Sequence, residues 1–235
     1  MTFFNRLQSV FFEPQKVFKS LAEKPVWIDA LIILLIVTAL FSYLVAPYAR
    51  KDTLQLYKDN VKLQERLGQE RYEQMLHNLE NPSQTGILLR SFLLSPITLL
   101  IGFLISALML LVIGRLFSTE GNFILVFSAF LHANFIDKIL GSAIRLVLIL
   151  SRKSVFQTTT SLALLFPKLE MTSPAYIILS QVDIFQLWLF GVLAYGLSHL
   201  FKISIKKALF VSYAFWLLKS LLYIALGFLS HSFIG

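Results

Sequence analysis

Five long apolar stretches alternate with short polar ones along the chain, and the pattern predicts five membrane spans, at about 27–48, 91–114, 122–151, 176–201 and 208–233. The charge-free part of the first, Ala30 to Ala49, is long enough to cross about 30 Å of hydrocarbon as a helix. Trp27 and Tyr48 stand at its ends, where amphipathic rings settle at headgroup level. The second carries Pro96 in its first turns, and Gly102 and Ser106 lie four apart on it, a small-residue pair that allows close helix approach. The fourth runs to Phe201 from Tyr176, or from Ile184 if Asp183 caps it. A lysine cluster, Lys202, Lys206 and Lys207, separates it from the fifth.

Two segments follow a different period. In residues 1–26, Phe3, Leu7, Val10, Phe11, Val17, Phe18 and Leu21 recur at helical spacing among Arg6, Lys16 and Lys19. This predicts an amphipathic helix, or two short ones broken near Pro14, lying in the membrane surface; the alternative is a stub packed on the helix bundle. Residues 50–90 form the long polar segment, with Leu54, Tyr57, Val61, Tyr72, Met75, Leu76 and Leu79 at helical intervals. They predict one or two extramembrane helices, broken near Gly68 and ended at Asn81-Pro82. Residues 151–174 read as a loop with a threonine run at Thr158, Thr159 and Thr160. The fold class is therefore all-α: a polytopic bundle in residues 27–235, preceded by an interfacial segment in 1–26.

The third span carries Asn134, Asp137, Lys138, Gly141 and Arg145, which fall within roughly 100° of one face on a regular helix. Charges at such depth cost about 2.5–3.5 kcal/mol each unless paired or hydrated, so the stripe should face protein or water. Counting residues from the span ends at about 1.5 Å each places Arg145 level with Asp183, and Asp137 level with Lys219. These give two expected ion pairs, with Lys138 a competitor for either acid. Asn134, Asp137, Lys138, Arg145, Asp183 and Lys219 are the candidate intramembrane polar network. Asp29, at the start of the first span, reads as a helix N-terminal acid near headgroups.

Composition narrows the chemistry. The chain of 235 residues is 57% hydrophobic and 14% charged, more apolar surface than a soluble domain of this length can bury. A net charge of +8 on such a chain points to anionic lipid headgroups, not to nucleic acid, for which no soluble basic module exists. Cysteine is absent, which removes disulfides and thiolate chemistry. His77, His132, His199 and His231 lack metal-ligand spacing, and no phosphate loop or serine triad pattern is present. These residues predict neither an enzyme nor a cofactor.

Three places resemble the Yip-one (Ypt-interacting protein, Yip domain) family. Asp183, Phe185 and Trp188, with Gly196 further on, are similar to the opening of its fourth span. Ser204 to Ala208, with Lys207, looks like the entry to its fifth. Glu13-Pro14, Phe18, Leu21, Lys24-Pro25 and Trp27 resemble the segment before the first span of prokaryotic members. Where family members often carry a proline midway along the third span, this chain has Phe135 and Ile136. The resemblance implies a five-helix bundle with a cytoplasmic N-terminus. In eukaryotic members it implies binding of Rab-type GTPases; the long N-terminal domain of those members has no counterpart here, so a prokaryotic-type member is expected.

Two function classes remain: a membrane-organising or partner-recruiting component, and a small transporter or channel built on the third-span charges. Partners of the first would be lipids or a protein docking on residues 1–26 or 50–90; a homo-oligomer is compatible with either. Short-loop lysines favour the N-terminus inside, in a prokaryotic cytoplasmic membrane or alternatively in an ER or Golgi membrane. The span count makes a testable prediction. Three spans separate Asn60 from Ser204, so single cysteines placed there in this cysteine-free chain should label from opposite faces of intact vesicles. Labelling of both from one face would refute five spans.

Overall fold

In the computed structural model, residues 1–58, 60–156, 160–166, 168–170 and 173–234 are described, with side chains described as far as Leu229. Thr158 and Thr159 of the threonine run, and the His231 side chain, lie outside the described residues. The elements are helices: α1 (Phe3–Phe12), α2 (Pro14–Glu23), α3 (Ile28–Lys58), α4 (Val61–Leu67) and α5 (Gln69–Glu80) come first. Then follow α6 (Gln84–Arg115), α7 (Phe123–Arg152), α8 (Pro174–Leu179), α9 (Ile184–Phe201) and α10 (Ile205–Ile234). Five of them, α3, α6, α7, α9 and α10, are long and apolar enough to cross a membrane. Their contacts define two compact units.

The first unit comprises Met1–Thr38, Pro96–Ala143 and Ile184–Ser220. Its core forms where apolar side chains recur every three or four residues: Leu189, Leu193 and Leu197 on α9, Phe103, Ala107 and Leu110 on α6, and Val126, Ala129, Phe130 and Ala133 on α7. Bonds across the α9–α10 hairpin hold its register, with Ser212 Oγ donating to the Phe190 carbonyl (2.6 Å) and Tyr213 Oη to that of Leu187 (3.0 Å). Its turn puts Lys202 in the left-handed region at φ 51°, while the Ile203 N–H reaches back to the Ser198 carbonyl. At Gly114 of α6 an added Cβ would lie 2.2 Å from the Phe201 ring, so only glycine lets these two helices meet. The outer side of α6, including Ile97, Ile101, Ile105 and Leu108, stays exposed, as a lipid-facing stripe must.

The break expected at Pro14 is present: Pro14 is the first residue of α2, where its missing N–H costs nothing. The apolar faces of α1 and α2, however, pack on protein. Phe18 is fully buried, and a Cβ added at Gly196 would lie 3.0 Å from its ring and 3.2 Å from Ala129. Phe11 is half-buried with its ring 5.9 Å from that of Trp188. Val10, Val17 and Leu21 are buried as well. What α1 and α2 leave outside is Phe4 and Phe12, each 77% exposed, beside Lys16 and Lys19.

The second unit comprises Ala39–Ser95, Ile144–Asp183 and the chain from Leu221 on. Helix α3 continues through Pro47 well past Tyr48, to Lys58. The break near Gly68 is a glycine at φ 76° joining α4 to α5, a conformation that other residues rarely adopt. Tyr72 Oη donates to the Tyr57 carbonyl (3.0 Å), and Lys58 donates to Glu80, holding its carboxyl below the ordinary carboxylate range. Asp52 is buried and accepts from Ser154 Oγ (2.8 Å) and the Val155 N–H (2.6 Å), which folds back the loop after α7.

The fourth span starts at Ile184, the later of the two starts that the apolar pattern allows; Pro174–Leu179 is a separate turn of helix. Between them Val182 accepts from the Leu162 N–H (2.9 Å) and Ser161 pairs with Asp183, so the chain is extended there. The second helix begins at Gln84 and passes Arg90 through a π-helical turn at Arg90–Leu94. Pro96 has no N–H to give, and just before it the Arg90 carbonyl accepts both the Ser95 N–H and Ser95 Oγ (3.0 Å). A second π turn, Phe135–Gly141, interrupts the third span where the polar stripe lies.

The α2–α9 contact yields a test. Gly196→Leu must displace the Phe18 ring and should cost about 1–3 kcal/mol in thermal unfolding in detergent, with new protease cleavage between Phe12 and Pro25. Gly102→Leu, where nothing lies within 4 Å of an added Cβ, should unfold like the parent.

Candidate functional site

One buried polar group in the first unit centres on Arg6 of α1, a residue 5% exposed. Arg6 sits within the apolar stripe of its own helix, three residues after Phe3 and four before Val10, so the stripe that docks α1 carries the guanidinium inward. Its Nη2 pairs with Asp29 Oδ2 at the start of α3. Its Nε donates to His132 Nε2 (3.2 Å) on α7, and its Nη1 to the Met1 carbonyl (2.8 Å). Because His132 Nε2 accepts, Nδ1 carries the ring proton and donates to the Ser128 carbonyl (2.8 Å). Ser128 Oγ in turn donates to the Val26 carbonyl (2.9 Å), tying the chain between α2 and α3 to α7. Asp29 is thus an ion-pair partner within protein, not only a helix-end acid at headgroups.

The candidate network occupies separate places. In the first unit, Asn134 (3% exposed) stands at the entry to the π turn, where its Nδ2 donates to the Phe130 carbonyl (2.8 Å). Asp137 (2% exposed) pairs with Lys138 at 2.9 Å. Lys219 donates to Gln186 Oε1 and lies 5.2 Å from the centre of the Phe190 ring, a cation–π contact. The π turn advances each residue by a smaller angle, and Asp137 ends inside while its neighbour Lys138 keeps 31% of its side chain exposed.

In the second unit, Arg145 Nη2 donates to Asp183 Oδ2 at 3.1 Å, the pair that the residue count along the two helices puts level. Thr160 Oγ1 accepts from Arg145 Nε (3.0 Å) and donates to the same carboxylate oxygen. The pair therefore ties Thr160 to Asp183. Of the motif residues, Phe185 is buried, Trp27 packs on Phe127 (ring centres 5.9 Å apart) and Lys207 is exposed. Pro25 is half-buried in the link between α2 and α3. Among the described residues no group of three His, Cys, Asp or Glu side chains is placed to hold a metal.

Five apolar helices, charges paired inside protein and a broad exposed apolar surface define an integral, multi-pass membrane protein. The chain belongs to the Yip1 domain family: the family model of the Yip1 domain matches residues 9–227, from α1 almost to the end of α10. Comparison with curated proteins and with solved structures returned no match.

Sequence reasoning counted Arg6 only as a basic residue before the first span and dismissed His132 for lack of metal spacing. The available signal was an arginine inside an apolar stripe. Its weight can be measured. Arg6→Met leaves Asp29 and His132 without their guanidinium and should lower stability by about 2–3 kcal/mol. Lys16→Met removes an exposed ion pair and should change it by less than about 0.5 kcal/mol in the same detergent unfolding assay. Equal effects would show that Arg6 is a surface charge.

Proposed function

We propose that this Yip1-domain protein is a membrane-organising or partner-recruiting component that catalyses no reaction. The observation that supports this reading is the state of the third-span charges. Asp137 is buried against Lys138, Asn134 is spent on a backbone carbonyl and Arg145 is held by Asp183 and Thr160. A carboxylate that relays a solute or a proton must meet water or substrate at some stage; these groups meet protein, which suits a role in fixing helix packing. Surfaces available for partners are the exposed face of α1 and α2 and the solvated helices α4 and α5.

In this reading the protein is a prokaryotic-type member in the cytoplasmic membrane, N-terminus inside. The lysines at Lys16, Lys19, Lys202, Lys206 and Lys207 then share the cytoplasmic side, which the charge rule favours. The alternative role, a transporter, separates cleanly by experiment. Proteoliposomes containing the wild-type chain should collapse a pH gradient no faster than empty ones. Wild type and Asp137→Asn should recover the same partner proteins in mild detergent. A flux carried by the wild type and abolished by Asp137→Asn would replace this reading with the transporter.

A further inference from the structure

We infer that the elbow between α1 and α2 is a binding site for one anionic glycerophospholipid drawn from the surrounding bilayer. The elbow opens a cavity of about 590 Å³, lined by Phe12, Glu13, Pro14, Lys16, Lys19 and, from the spanning helix α9, Tyr195. That volume is within the range of sites that take a small ligand. Two kinds of wall meet in it. Phe12 is 77% exposed and Tyr195 38% exposed, so an apolar flank stands open beside a helix that lies among lipid tails. Opposite it stand two lysines. Glu13 engages Lys16 at 2.8 Å, and Lys19 has no ion-pair partner among the described residues, so the lining keeps one net positive charge.

This division matches the two ends of a phospholipid. A phosphate takes the lysines as charged donors, and its acyl chain covers Phe12 and Tyr195. A soluble anion would leave the aromatic flank in water, and a zwitterionic lipid would leave the extra lysine charge unmatched. The elbow itself is rigid: Pro14 fixes the start of α2, Phe18 is pinned against Gly196, and Arg6 anchors α1. The site is therefore formed before lipid arrives. The inference rests on the membrane-organising reading, to which it adds the lipid class that this face selects.

The experiment uses the full chain in nanodiscs of phosphatidylcholine mixed with phosphatidylglycerol, followed by native mass spectrometry after gentle release. Wild type should keep one phosphatidylglycerol in preference to phosphatidylcholine. Lys16→Gln/Lys19→Gln should retain about twenty-five-fold less, since each lysine near a charged headgroup contributes roughly fivefold. Lys206→Gln/Lys207→Gln removes the same number of exposed charges elsewhere in the first unit and should leave retention unchanged. Phe12→Ser, with both lysines intact, should also lose the adduct. Equal loss in the two lysine pairs, equal retention of phosphatidylcholine, or an adduct indifferent to Phe12 would each overturn the site. Partner recovery and the absence of flux would stand in those cases, so failure of the lipid site is distinguishable from failure of the organising role.

Discussion

The guanidinium of Arg6 is the constraint on which the first unit depends. Arginine cannot shed its charge, so a buried one must find acceptors or keep its helix out of the bundle. Here it finds three: the Asp29 carboxylate, the His132 ring and the Met1 carbonyl. Each belongs to a different part of the chain, so satisfying one charge locates α1, the start of α3 and the middle of α7 together. The choice of His132 tautomer follows, because a ring nitrogen that accepts from Arg6 leaves the other to donate along the helix. An apolar residue at this place could pack α1 but would leave the rotation of the helix unspecified.

Close approach supplies the rest of that docking. Gly196 and Ala129 leave a recess filled by the Phe18 ring, and Gly114 makes room for Phe201 in the same way. Lipid tails are as apolar as phenylalanine, so burial alone gives little drive for helices to associate within a bilayer; van der Waals fit and internal polar bonds must do it. The first unit uses both. Aromatic rings enter small-residue recesses, and the Ser128, Ser212 and Tyr213 hydroxyls each bond a carbonyl on a neighbouring segment.

What was legible in the sequence was whatever depends on one helix at a time. Hydropathy found the five spans, Pro14 the first elbow and Gly68 the break between α4 and α5. The Arg145–Asp183 pair was legible because matching two residues in depth needs only the helical rise. Facing needs more: it depends on the angle between successive residues, and that angle changes in a π turn. Such a turn lies at Phe135–Gly141, within the polar stripe of the third span. The docking of α1 and α2 was ambiguous for another reason. An amphipathic helix shows the same period whether its apolar face meets lipid or protein, and only the complementary recess at Gly196, far along the chain, distinguishes them.

The π turn also bears on what the buried charges can do. It runs from Phe135 to Gly141, in the middle of the third span. At its entry the Phe130 carbonyl accepts both the backbone N–H and the side-chain amide of Asn134. The turn also sets Asp137 inward while Lys138, the next residue, folds back to it. Both charges of this pair therefore lie where the backbone of the third span departs from regular helix.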